Sequence, residues 1–149
     1  GPFISEFPER FGAMMRERGS EFGATTGRPR RCGWFDSLMV KEAVLLNGVS
    51  EFAVMKLDVL DGLKNISICT AYKYKGKTFK EFPHDLEVLH KARPVYKEMP
   101  GWKKPVRKPR GYKELPLNCR NYIRRLEDIL KTRVSIVSVG SGREDTIFV

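Results

Sequence analysis

The sequence predicts an α/β fold, because helix-like and strand-like segments alternate along the chain. A helix after Asp36 precedes a short strand at 52–55, and an amphipathic helix over 118–132 precedes a strand at 134–138. Between these two pairs, the turn Lys75-Gly76-Lys77 predicts a small hairpin. Together these observations predict a sheet with flanking helices.

Two helices are predicted in the first third of the chain. From about Pro8 to Arg18 apolar residues recur at helical spacing, and Gly19 suits a C-terminal cap. Asp36 suits the N-cap of a second helix, which ends at Gly48 and is apolar on most faces. Such a helix has to be covered on more than one side.

Two strands are predicted next. Phe52-Ala53-Val54-Met55 predicts a short buried strand, with Lys56 and Asp58 at its carboxyl end. Ligands bind at that end of the strands in open α/β sheets. The alternating segment from Ile66 to Tyr72 predicts a second strand, which continues into the hairpin.

The segment after the hairpin predicts less regular structure. A short helix is expected at 85–91, and Pro94 to Pro116 is expected to be irregular apart from short extended pieces, with Trp102 pinning this loop to the core. His84 and His90 are spaced wrongly for a metal pair on one helix face, and no third ligand is suggested. No metal site is therefore predicted.

The last third predicts a helix and two strands. The helix at 118–132 sets an apolar face against a face rich in arginine, which favours a wet surface there. After the strand at 134–138, residues 139–142 favour a turn over a phosphate nest, because Asp145 stands where the third glycine would be. A closing strand is expected at 146–149.

The composition predicts one globular domain with an anionic partner. Of 149 residues, 28 are Lys or Arg against 18 Asp or Glu, which gives a net charge of +10, and 41% are hydrophobic. Charge alone does not separate a nucleic acid from a nucleotide or an acidic substrate. No apolar run is long enough for a bilayer and no leader pattern is seen, so a cytoplasmic protein without membrane contact is expected. The widely spaced Cys32, Cys69 and Cys119 predict reduced thiols.

Two basic segments carry most of the charge. The arginine loop, residues 24–34, combines three arginines, two threonines and two glycines, whose guanidinium, hydroxyl and N–H groups can bind carboxylates or phosphates. The alternative is a solvated basic turn. The other segment, 103–110, has prolines that prevent a helix and no aromatic residue for base stacking, which favours a solvated connecting loop over a nucleic-acid contact.

The arginine loop, with its lead-in Glu21-Phe22-Gly23, closely resembles the aspartate-binding loop of adenylosuccinate synthetases, which join aspartate to inosine monophosphate (IMP) using GTP. The likeness continues through Lys56–Gly62, Glu98–Trp102 and Ser138–Gly140 in the family's order and spacing. Gly1-Pro2-Phe3 and Glu6 also resemble a family stretch. The family's N-terminal Gly-rich phosphate loop, its catalytic Asp and a later His have no counterpart. The resemblance therefore implies that residues 1–149 are one C-terminal portion of a mostly parallel-sheet, P-loop-related synthetase domain.

The resemblance also implies the site residues. The aspartate-binding residues would be Ala24, Thr25, Thr26, Gly27, Arg28, Pro29 and Arg30, with Arg28 also contacting IMP and Arg30 the GTP phosphates. The GTP-binding residues would further include Lys56, Leu57, Asp58, Ser138, Val139 and Gly140. None of the family's catalytic residues is expected in this chain, so the chain alone is expected to lack ligase activity.

Guanine chemistry agrees with the assignment of Asp58. One ionised carboxylate can accept hydrogen bonds from both the N1–H and the exocyclic amine of guanine, and adenine offers no such pair. A site built around Asp58 should therefore reject ATP. Lys56 can lay its methylenes along the base. We expect the arginine loop and this strand end to share one cleft.

The resemblance implies GTP as co-substrate, Mg²⁺ with ligands outside this chain, IMP and L-aspartate as substrates, and a homodimer. Two alternatives remain open at this point. One is a basic module that binds nucleic acid or phosphate, whose affinity for DNA would fall steeply with salt. The other is a noncatalytic interaction fragment that self-associates through exposed apolar surface.

Overall fold

The computed structural model describes residues 3–105 and 107–149, so the Gly1-Pro2 part of the resemblance lies outside the described residues. Helices and strands are interspersed along the chain, and the predicted α/β class is confirmed. The helices are α1 (Glu9–Gly19), α2 (Ser37–Asn47), α3 (Leu86–Lys91) and α4 (Leu117–Leu130). The strands are β1 (Phe35–Asp36), β2 (Glu51–Val54), β3 (Asn65–Tyr74), β4 (Lys77–Phe79), β5 (Arg93–Pro100), β6 (Arg133–Ser138) and β7 (Thr146–Phe148).

The strands form two mixed sheets. In one, β3 pairs with β1 in parallel and with β4 in antiparallel orientation, and β5 also pairs with β3. In the other, β6 pairs with β2 in parallel and with β7 in antiparallel orientation. The antiparallel pairings come from short connections, the two-residue turn before β4 and the loop before β7, which cannot make a parallel crossover.

The chain divides into two compact units. The first unit comprises residues up to 39 together with 67–97, and the second comprises 40–66 together with 98–149. The first unit packs Ile4, Phe79, Phe82 and Ala92 against a buried cluster of Leu38, Cys69 and Tyr72. The second unit buries one face of α4, which contacts β6. The buried residues of that face are Cys119, Tyr122, Ile123, Leu126 and Leu130.

Several local predictions are confirmed. Asp36 caps α2, because its Oδ1 accepts hydrogen bonds from the N–H groups of Leu38 and Met39 at 3.2 Å each. The hairpin turn has positive φ at Lys75 (45°) and Gly76 (76°), as a tight two-residue turn requires. Buried Trp102 pins its loop, since its Nε1–H donates to Asp61 Oδ1 at 2.6 Å.

Other predictions were wrong. The left-handed residue that ends α1 is Ser20 (φ 48°), not Gly19. Helix α2 is not covered on several sides within the described chain, because Leu45 is 70% exposed and Leu46 is 76% exposed. Strand β2 is only half-buried, since it lies at the edge of its sheet. The short extended pieces expected after Pro94 are instead one eight-residue strand, β5, which begins at Arg93.

Candidate functional site

The arginine loop belongs to the first unit and has a backbone fixed by hydrogen bonds. The N–H of Gly23 donates to the Arg28 carbonyl at 2.8 Å, and the N–H of Gly27 donates to the Gly23 carbonyl at 2.9 Å. At the base, the N–H of Arg30 donates to the Glu21 carbonyl at 2.9 Å. Gly27 has a φ of 64°, which a residue with a Cβ adopts at a cost. The loop is therefore a closed turn with one preferred shape.

The arginines of this loop differ in how firmly they are held. Arg28 is exposed and makes no ion pair within the described chain. The Arg30 side chain is 61% exposed, with Nη1 3.6 Å from Glu21 Oε2. Arg31 is tied more closely, because its Nε lies 2.6 Å from Glu6 Oε1. Arg28 and Arg30 are thus the more available pair for an anionic ligand.

The other predicted residues of the loop are also exposed. The Thr26 hydroxyl accepts a long hydrogen bond from the Arg28 N–H at 3.4 Å, and Pro29 pairs with Phe22 in an isolated antiparallel bridge. The exposed members of the predicted aspartate-binding set are Ala24, Thr25, Thr26, Gly27, Arg28, Pro29 and Arg30. All of them therefore face solvent on one short segment of chain.

The second predicted group lies in the second unit, at the carboxyl ends of two parallel strands. Strands β2 and β6 run in the same direction, with Val54 opposite Val137, so the residues that follow them lie at one edge of the sheet. Lys56 takes a left-handed conformation with φ 59°, and its N–H donates to Ser138 Oγ at 3.1 Å. The Ser138 hydroxyl in turn donates to the Gly140 carbonyl at 3.3 Å. The fold thus brings 56–58 and 138–140 together.

Asp58 lies in a short 3-10 helix, Leu57–Leu60, directly after this edge. Its Oδ1 is buried and accepts no hydrogen bond within the described chain. A buried acceptor without a partner costs about 1–3 kcal/mol. Such an atom at the end of a strand is suited to a ligand that brings its own donors.

The neighbours of Asp58 in the predicted set have different roles. Leu57 is 3% exposed and Val139 is 1% exposed, so both side chains pack in the interior. The Val139 N–H already donates to the Asp145 carbonyl at 2.9 Å. These two residues therefore shape the edge, and Asp58 Oδ1 is the buried side-chain oxygen of this set that lacks a partner within the described chain.

Asp145 is a residue whose part in this edge the sequence reasoning missed. Its Oδ2 accepts from the Gly142 N–H at 3.1 Å, and its Oδ1 accepts from the Lys108 N–H at 3.3 Å. A Cβ on Gly140 would overlap the Asp145 carboxylate, so a larger residue at that position has to displace this side chain. The turn 140–145 is therefore held by one carboxylate. The signal was the Asp that follows Gly142 by three residues, a spacing at which a side chain can accept a hydrogen bond from the first N–H of a turn.

The two predicted groups belong to different units, and their meeting in one cleft stays a prediction.

In residues 3–105 and 107–149 no three His, Cys, Asp or Glu side chains gather as a metal site. No helix in that part of the chain combines the length and the apolar composition needed to cross a bilayer.

The fold and these loops define an α/β protein with polar groups at the carboxyl ends of parallel strands and a separate loop of exposed guanidinium groups. The family model described as adenylosuccinate synthetase matches residues 1–147. The chain belongs to the adenylosuccinate synthetase family.

Individual relatives agree. An adenylosuccinate synthetase of Desulfatibacillum aliphaticivorans is 48% identical over 149 residues, which are 100% of this chain and 35% of the relative. One from Geotalea uraniireducens is 49% identical over 147 residues, or 99% of this chain and 34% of the relative. The solved structure of the fully ligated enzyme from Plasmodium falciparum superposes with a TM-score of 0.93 at 36% identity, covering 100% of this chain and 36% of that one. The chain thus spans about a third of the length of these relatives.

Proposed function

We propose that this chain forms the aspartate-binding and guanine-binding part of a GTP-dependent ligase that joins L-aspartate to IMP and yields adenylosuccinate in purine biosynthesis. The observation that carries the proposal is the buried, unpartnered Oδ1 of Asp58 beside Lys56 and Ser138 at the end of two parallel strands. Family membership supplies the reaction class.

Guanine would be recognised at this strand end. The Asp58 carboxylate would accept the N1–H and exocyclic amine hydrogens of guanine, which satisfies the oxygen that lacks a partner. Ser138 and the Gly140 backbone would contact the base, and the Lys56 methylenes would lie against its face. Adenine would leave the carboxylate unpaired, so ATP is disfavoured.

The arginine loop would bind the anionic groups. Arg28 would contact aspartate and IMP, and Arg30 would contact aspartate and the GTP phosphates. Guanidinium groups suit both roles because they stay protonated and bind carboxylates and phosphates through two parallel hydrogen bonds. Their exposure and light pairing support availability, since the partner Glu21 lies 3.6 Å from Arg30.

In the proposed reaction, the γ-phosphoryl group of GTP moves to O6 of IMP and the amino group of aspartate then displaces it. In phosphoryl transfer, most of the catalysis is positioning and charge stabilisation, which Arg28 and Arg30 would supply. When bound, Mg²⁺ would neutralise phosphate charge. A cytoplasmic homodimer is part of the proposal.

The test compares GTP with ATP binding to the 149-residue chain and to Asp58→Asn, by competition against a fluorescent guanine nucleotide. The unmodified chain should prefer GTP by about a hundredfold or more, and Asp58→Asn should reduce that preference to a few-fold. Asp128→Asn is the matched control, because Asp128 is an exposed carboxylate on α4. Equal affinity for ATP, or no response to Asp58→Asn, would contradict the guanine assignment.

We expect the chain alone to lack ligase activity, because the resemblance matches none of its residues to the family's catalytic acid or base. A coupled assay with IMP, aspartate, GTP and Mg²⁺ measures adenylosuccinate formation directly. Turnover that depends on both GTP and aspartate would show that these 149 residues carry the whole reaction.

A further inference from the structure

A second basic feature of the first unit has no part in the proposed function. At the β3–β4 hairpin lies a groove of about 430 Å³, which we name the hairpin groove. Its lining residues are Lys73, Tyr74, Lys75, Gly76, Thr78, Lys91 and Arg93. None of them belongs to the predicted aspartate, IMP or GTP residues.

Four cations line the hairpin groove, and no carboxylate lines it. Glu87 lies beside it, with Oε1 3.0 Å from Lys91 Nζ and 3.4 Å from Lys75 Nζ. Lys73 and Arg93 make no ion pair within the described chain. The four cations and the Glu87 carboxylate together leave three excess positive charges around the hairpin groove. Repulsion among these charges is unfavourable when no anion is bound.

The groove is built on regular structure. Lys73 lies directly opposite Thr78 in the antiparallel ladder, so their side chains stand on the same face of the hairpin. The tight turn at 75–76 fixes the hairpin end, and β5, which begins at Arg93, also pairs with β3. Arg93 can offer a planar fork, the lysines can offer point charges, and Thr78 can donate a hydroxyl hydrogen bond.

We propose that the hairpin groove binds a small polyvalent phosphorylated anion at a site distinct in its residues from the aspartate and guanine sites. A volume of about 430 Å³ lies in the range of small-molecule pockets. A polyphosphate would neutralise the excess positive charge, whereas a monovalent anion would leave most of it in place. A nucleic acid fits less well, because the Tyr74 hydroxyl donates to Glu87 at 2.7 Å and Lys75 Nζ lies 5.0 Å from the ring centroid, so Tyr74 is not open for base stacking.

The test uses inorganic tripolyphosphate as the probe and the 149-residue chain. Calorimetry gives the dissociation constant in 50 mM and 200 mM KCl, and amide NMR shifts locate the site. The variant Lys73→Gln/Arg93→Gln removes the two unpaired cations and should weaken binding at least tenfold. Lys103→Gln/Lys104→Gln is the matched control, because it removes the same charge from exposed residues of the other basic segment, and it should change binding less than twofold.

The expected shifts fall on 73–78 and 91–93, and binding weakens in 200 mM KCl. Thr78→Val keeps the shape and the charge of the groove and should weaken binding by a few-fold. This single variant tests the proposal even if the double variant does not fold. Asp58→Asn should leave tripolyphosphate binding unchanged, which separates this proposal from the guanine assignment.

Three results would overturn the proposal. An equal loss in the Lys103/Lys104 control would reduce the effect to net charge. Shifts confined to the arginine loop would assign the phosphate to that loop instead. A DNA duplex that displaces tripolyphosphate and loses affinity in the same double variant would make the groove a nucleic-acid contact.

Discussion

The arginine loop and the strand-end edge at 56–58 and 138–145 reach fixed shapes in opposite ways. The loop is exposed, and backbone hydrogen bonds such as that from Gly23 to Arg28 hold it while its side chains face water. The edge depends on strand pairing and on the Asp145 carboxylate, and it contains a buried oxygen of Asp58 without a partner. Substitutions should therefore act on ligand affinity in the first region and on both affinity and stability in the second.

The energetics follow from exposure. An exposed ion pair such as that of Arg30 with Glu21 contributes about 0–1 kcal/mol, because water screens it and the side chains lose freedom. A buried unsatisfied carboxylate oxygen costs about 1–3 kcal/mol until a donor reaches it. A ligand that donates a hydrogen bond to Asp58 should thus offset this unfavourable free energy.

The largest expected contrast between exposed loop and buried core is in thiol reactivity. Cys32 lies half-exposed in the arginine loop, whereas Cys69 and Cys119 are fully buried, and burial raises the pKa of both buried thiols to about 12. At pH 8 only about one in 10⁴ of such thiols is a thiolate. Labelling with a disulfide reagent should therefore modify Cys32 at least a hundredfold faster than Cys69 or Cys119.

Cys32→Ser should remove the fast labelling phase and is the control for that measurement. Rapid labelling of Cys119 in the folded chain would mean that α4 opens readily.

The same pKa shifts make the stability of the fold depend on pH. The folded-state pKa of Cys69 and Cys119, about 12, exceeds the ordinary thiol value of 9.0. The stability that comes from burying these two thiols is therefore fully present below pH 9 and is lost as the pH rises towards 12. The free energy of unfolding should fall between pH 9 and 11.

The next effect compares one glycine from each region. Gly140→Ala places a Cβ against the Asp145 carboxylate, which also holds Gly142, and should cost about 2 kcal/mol. Gly27→Ala meets open space but keeps a φ of 64°, so it should cost about 1 kcal/mol. Urea unfolding of both variants measures the difference.

A double variant sharpens that comparison. Gly140→Ala/Asp145→Ala removes the overlapping carboxylate, so the two single costs should not add. Additive costs would show that the Asp145 side chain does not limit the space at Gly140. Gly27→Asn should be milder than Gly27→Ala, because asparagine tolerates the left-handed conformation better.

The predictions from sequence succeeded where a few neighbouring residues determine the structure. The cap at Asp36 and the turn at 75–76 depend on side-chain oxygens or positive φ within a few positions. The amphipathic pattern of α4 is similarly local. Placement of 56–58 after a strand was also predicted, because an apolar run followed by polar residues marks a strand end.

The failures involve partners that are distant in sequence. Strand β5 has a proline at its second and last positions and many charges, which hide its pairing with β3. The cover expected over Leu45 and Leu46 is not found in the described chain. The contact of Asp145 with Lys108 joins segments 37 positions apart, and no periodicity reports such a contact.

The smallest stability effect, and the last test of the comparison, is at Arg30. Arg30→Gln removes an exposed guanidinium 3.6 Å from Glu21 and should change the free energy of unfolding by less than about 0.5 kcal/mol. If Arg30 contacts phosphates, the affinity for GTP and for ATP should fall together by about tenfold, because the loss does not depend on the base. Lys103→Gln is the control for a single lost charge. A selective loss of GTP, with ATP unaffected, would instead connect Arg30 to guanine recognition, and the division between a phosphate-binding loop and a base-binding edge would then be wrong.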